Sequence, residues 1–102
     1  MKDVFVNIFE ARKKNLEVAL CVVVSTKGSV PREAGAKMLV FADGKIRGTI
    51  GGGNLEKKVI ANALEVLKNK KPSLYKHELL LQHNMCCGGT VEIYIEPIMK
   101  KK

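Results

Sequence analysis

"KMLVFADGKIRGTIGGGNLEKKV", residues 37–59, contains both kinds of secondary structure and the turn that joins them. Its first half gives two short apolar runs around Asp43-Gly44, a dipeptide that accepts the positive φ angles of a tight hairpin. Two antiparallel strands follow. Its second half passes through three glycines and Asn54 into Leu55, Val59, Ile60, Ala63, Leu64 and Leu67. Apolar residues three and four apart predict an amphipathic helix, which fades in Lys68 to Lys71 before Pro72.

Upstream, "VALCVVV" at 18–24 is a continuous, largely β-branched run that predicts a strand covered on both faces. Before it, Val4, Phe5, Ile8 and Phe9 stand at helical spacing and predict a first helix closing in Arg12-Lys13-Lys14-Asn15. Downstream, "SLYKHELLL" at 73–81 and "TVEIYIEP" at 90–97 predict two more strands. In the second, Val91, Ile93 and Ile95 alternate with Glu92, Tyr94 and Glu96, as one buried face requires. The class is α+β: a small mixed or mostly antiparallel sheet of about five strands with two helices packed on it, both expected on one face.

A chain of 102 residues has room for one core, so residues 1–102 are expected to form a single domain. With 46% hydrophobic and 27% charged residues, the composition is that of a globular protein rather than a disordered one. No apolar run approaches the roughly 18 residues of a membrane span. The start Met1-Lys2-Asp3 lacks a signal peptide's apolar centre, so a cytoplasmic protein is expected, without membrane contact. Three cysteines are an odd count, and adjacent Cys86 and Cys87 are poorly placed to bridge each other, which predicts reduced thiols. The net charge of +8 is scattered over helix ends and the Lys100 to Lys102 tail. With two Tyr, three Phe and no Trp, the chain lacks the stacking surface of a nucleic-acid binder. The same charge suits a small anionic ligand.

Three glycine-bearing segments carry the candidate chemistry. At 51–54, strand, Gly51, Gly52, Gly53, Asn54 and helix occur in the order that makes an anion site from the helix's unpaired N–H groups. The same order also makes a tight strand-to-helix turn, with Asn54 as N-cap and Glu56 complementing the dipole. "TKGSVPREAGAK", residues 26–37, is longer than a minimal hairpin loop; it offers Gly28, Ser29, Pro31 and the forked donors of Arg32. "HNMCCGGT", residues 83–90, sets two cysteines before Gly88 and Gly89, where exposed amides favour a thiolate as nucleophile or soft-metal ligand. Cys21, inside an apolar strand, reads as inert. His83 and Cys86 have metal-like spacing, but a zinc site would also need Cys87 or His77, which fits usual spacings poorly. Because each segment adjoins a predicted strand end, all three are expected to converge on one end of the sheet.

Taken in order, "TKGSVPREAGAKM", the Asp43-Gly44 hairpin, "GGNLE" and "CGG" before a strand ending Glu96-Pro97 resemble the amino-terminal domain of the XdhC/CoxI family, the xanthine dehydrogenase accessory proteins. The resemblance spans nearly the whole chain. It implies a chaperone that binds the molybdenum cofactor (molybdopterin) and works with a cysteine desulfurase and a molybdenum hydroxylase. By position it carries cofactor contact to Gly28, Ser29, Arg32, Gly52, Gly53, Asn54, Glu56, Cys87, Gly88 and Gly89, with Cys87 at the molybdenum. Two departures stand out: Asn54 replaces a cysteine of the family's pattern, and Cys86 has no fixed counterpart. The family's second, Rossmann-like domain does not fit in 102 residues.

Two functions follow. The first is a non-catalytic module that handles the cofactor during hydroxylase maturation. The alternative is a ligand-free interaction module that partners a separately encoded Rossmann-like subunit. No carboxylate pair, Ser-His-Asp set or complete metal cluster is readable, which argues against an enzyme. An uncovered sheet edge leaves homodimerisation open.

Overall fold

The computed structural model describes residues 4–27, 34–51, 53–78 and 89–99. They form an α+β fold in the order α1 (Val4–Lys13), β1 (Val18–Lys27), β2 (Lys37–Phe41), β3 (Ile46–Gly48), α2 (Gly53–Asn69), β4 (Ser73–Glu78) and β5 (Thr90–Ile98). The five strands make one sheet in the order β3-β2-β1-β5-β4, and every pairing is antiparallel.

Both helices end where the chain adopts a left-handed residue. After α1, Asn15 has φ 60°, and the bonds Leu16 N–H to Ala11 O (2.8 Å) and Asn15 N–H to Arg12 O (3.0 Å) form a Schellman motif. After α2, Lys70 at φ 59° donates to Val66 O (2.7 Å), and Pro72 follows. Between β2 and β3, the turn at Asp43-Gly44 closes through Gly44 N–H to Phe41 O and an Asp43 carboxylate on Lys45 N–H.

Strand parity divides the core. Ala19, Cys21 and Val23 of β1, Met38 and Val40 of β2, and Val91, Ile93 and Ile95 of β5 face α2, meeting Leu55, Val59, Ala63, Val66 and Leu67. The alternate residues Val18, Leu20, Leu39, Phe41 and Ile98 meet Val4, Ile8 and Ala11 of α1. The helices therefore lie on opposite faces, not on one. The cause is in β1, where "VALCVVV" is apolar on both sides and so can accept a helix on each. The double cover is partial, because Val24 at the far end is 46% exposed.

β1 also continues through Ser25, Thr26 and Lys27, beyond the apolar run, because β5 pairs with it along its length. The register slips between Val23 and Ser25, a bulge beyond which Ser25 stands opposite Glu92 and its hydroxyl donates to that carboxylate.

Candidate functional site

Register fixes where the glycine segments leave the sheet. Lys27 and Glu78 both stand opposite Thr90, Val22 stands opposite Lys37, and Met38 stands opposite Gly48. The end of β1, the start of β2, the end of β3, the end of β4 and the start of β5 thus share one end of the sheet. All three glycine segments are rooted there. β1 and β5 run five residues past the Val22–Lys37 level, a step of about 17 Å at strand rise. Across the step, Gly35 N–H donates to Val23 O (2.7 Å) and Val23 N–H to Ala36 O (3.0 Å).

Of the residues proposed for the site, Gly53, Asn54, Glu56 and Gly89 are described; Gly28, Ser29, Arg32, Gly52, Cys87 and Gly88, with Pro31 and Cys86, lie outside the described residues. Gly53 opens α2 with φ 69°, a conformation that favours glycine, and a Cβ there would meet nothing within 4 Å. The boundary position belongs to Gly53. Asn54 falls inside the first turn, exposed, and not at the N-cap expected of it. Glu56 accepts a hydrogen bond from Thr49 Oγ at 2.6 Å, while Thr49 Oγ accepts from Gly51 N–H at 3.0 Å. Thr49 therefore clasps strand end, glycine turn and helix together. Ile50 anchors the same turn in the core, and Gly89 is buried beside Thr90.

Sequence reasoning missed three features at this end. Thr49 is one. Gly48 is another: with φ 78°, its Cβ would stand 2.7 Å from Lys37 O, so glycine lets β3 press against β2. The third is the seam between α2 and β4, where His77 Nε2 meets Asn62 Oδ1 at 2.8 Å and the Tyr75 hydroxyl donates to Glu65 at 3.2 Å. Asn62 Oδ1 can only accept, so Nε2 carries the proton of that contact, while burial, then the Lys58 ammonium, lower the pKa of His77. The spacing of Asn62 and Glu65 on α2 and of Tyr75 and His77 on β4 is readable in the sequence; their pairing requires the register.

Cys21 is buried, and desolvation pushes its thiol up to about 12, far from a reactive thiolate. Among the described residues, no three His, Cys, Asp or Glu side chains gather to hold a metal ion. None of the described helices is long and apolar enough to cross a membrane. A cleft of about 690 Å³ lies elsewhere, between α1 and the β2–β3 hairpin, lined by Glu10, Lys14, Phe41, Asp43, Lys45 and Arg47 among others. Of the residues at the glycine-rich end it touches Gly48 alone.

Against known proteins, the model of the XdhC and CoxI family matches residues 11–78. The uncharacterized protein YqeB of Escherichia coli strain K12 is 37% identical over 91% of this chain. A crystal structure described as a xanthine dehydrogenase from Bacillus halodurans superposes with a TM-score of 0.75 at 25% identity over 95% of this chain. The chain spans 18% of the first relative and 30% of the second.

Proposed function

Because the chain belongs to the XdhC and CoxI family, we propose that it is an accessory module that holds the molybdenum cofactor during maturation of a molybdenum hydroxylase, without turning it over. One observation carries this: the three glycine segments are rooted at a single end of the sheet. The described part of that end suits a bulky anion, since Gly35 and Gly53 are exposed, with open space where a side chain would stand. Backbone N–H groups at the start of α2 and the cations Lys27 and Lys37 supply donors for a phosphate. Arg32 supplies a forked donor, and Cys87 a soft ligand for the metal. Bound, the cofactor brings the metal that a recipient hydroxylase uses; this chain's residues hold and shield it. A cysteine desulfurase is the second partner this role requires.

A second reading has its own support. The Thr49–Glu56 clasp explains the glycine turn without any ligand. On that reading the domain is an interaction module for a separately encoded Rossmann-like subunit.

Anaerobic equilibrium binding of isolated cofactor to purified protein decides between them. The wild type should bind, and Cys87→Ala should weaken binding by at least about tenfold, or 1.4 kcal/mol. Arg32→Ala should weaken it more at low salt than at high salt. Cys21→Ala, remote and buried, should leave binding unchanged. A wild-type chain that does not bind sinks the first reading.

A further inference from the structure

We propose that the α1 side of the sheet is a self-complementary surface by which two copies of this chain pair about a twofold axis. α1 covers only half of that face. Its buried contacts are with Val18 and Leu20 of β1, Leu39 and Phe41 of β2, and Ile98 at the end of β5. Over the rest of β1, β5 and β4 the face is open: Val24 and Leu74 are 46% and 56% exposed, and Val22 and Tyr94 are half-buried between them. In register, Leu74 stands opposite Tyr94 and Tyr94 opposite Val22, so these side chains form one continuous apolar floor. Beside the floor, α1 is a ridge whose outer side is itself apolar, with Val6 46% and Phe9 66% exposed. The Lys13 ammonium lies 6.0 Å from the Phe9 ring centre, at the end of the ridge.

Ridge and trough match in size. The trough from β1 to β4 spans two strand spacings, about 10 Å, and a helix is about 10 Å across. A second copy turned over by a twofold axis in the plane of the face lays its α1 in this trough and receives the first α1 in its own. Such an isologous contact needs one surface that fits itself. Charge permits it despite the +8 of each chain. The patch carries Lys13 and Lys76 together with Glu92 and Glu96, and Lys76 already stands opposite Glu92. The exposed parts of Val6, Phe9, Val24 and Leu74 total roughly 400 Å², the size of the largest apolar patch on a typical monomer and about the apolar half of the 800 Å² per partner of a standard interface. An apolar centre of that size inside a polar rim has the make-up of a small, weak interface.

Sedimentation equilibrium of the intact chain tests this, at about 0.3 M salt so that charges more than about 6 Å apart are screened. The wild type should dimerise with a Kd on the order of 10 µM. Phe9→Glu and Leu74→Glu, each at an exposed position that the fold does not need, should raise the Kd by at least about fiftyfold, since each buries a charge in the contact. Leu64→Glu, exposed on α2 at the opposite face, should change it less than about twofold. A wild type that stays monomeric to about 1 mM overturns the proposal, and so does a dimer indifferent to Phe9→Glu and Leu74→Glu, as pairing through the β4 edge would be.

Discussion

Two glycines of this chain have positive φ for different reasons, and the difference is measurable. At Gly53 a methyl group meets open space, so only the left-handed backbone resists substitution. Gly53→Ala should cost about 1–2 kcal/mol, the penalty for placing a Cβ in that conformation. At Gly48 the same penalty applies, and the methyl would also press on the Lys37 carbonyl at 2.7 Å, a backbone atom held in the β2–β3 ladder. Gly48→Ala should therefore cost at least about 1 kcal/mol more than Gly53→Ala in urea unfolding, overpacking being worth about 1–3 kcal/mol. Equal costs would mean that β3 slides away from β2 freely. Gly53 stood out in the sequence because it belongs to a run of three; Gly48 did not, since nothing local marks a close approach between strands. Thr49 was hidden for a similar reason: its partner Glu56 lies seven residues on, across a turn whose shape the sequence leaves open.

Among the elements, those with a strong period were readable: the Asp43-Gly44 hairpin, the α2 stripe ending before Pro72, and the alternation of β5. What periodicity could not supply was which neighbour each face meets. A strand apolar on both sides reads the same whether its helices share a face or not, so the placement of α1 opposite α2 emerged only with the parity of Val18 and Ala19. That the strands flanking the glycine segments reach one end of the sheet was readable, because antiparallel strands return their connections to common ends. The α2–β4 seam was not, although it has a consequence for stability. His77 has its pKa lowered in the fold, by burial first and by Lys58 second. A group with a depressed folded pKa contributes stability that is present above its unfolded value, about 6.5, and is lost as pH falls through the folded value. Unfolding free energy should thus decline as pH drops from about 6.5 toward 5, and His77→Gln, which still offers a donor to Asn62, should flatten that part of the curve. If wild type and His77→Gln follow parallel profiles over that range, the imidazole is not the group responsible.

For the whole molecule, the controlling fact is that β1 sits at the centre of the sheet with β5 from the far end of the chain beside it, Val18 pairing with Ile98. Neither end of the chain has a complete core alone, because the α2 cluster draws on β1, β2 and β5 together. The strand ends that carry the glycine segments thus share one end of the sheet only when the entire sheet has formed, and a ligand that touches more than one of those segments binds the native state and not the unfolded chain. Such a ligand stabilises by mass action, about 2.7 kcal/mol at a hundredfold excess over its Kd. In a domain of this size that raises Tm by about 10–20 °C. Scanning calorimetry of the wild type with isolated molybdenum cofactor should show that rise, in a single transition. Arg32→Ala and Cys87→Ala should melt near the wild-type temperature without cofactor and gain far less with it. A full rise retained by both variants would move the site away from these two segments, and no rise at saturating cofactor would leave the shared end of the sheet as a surface for protein contact.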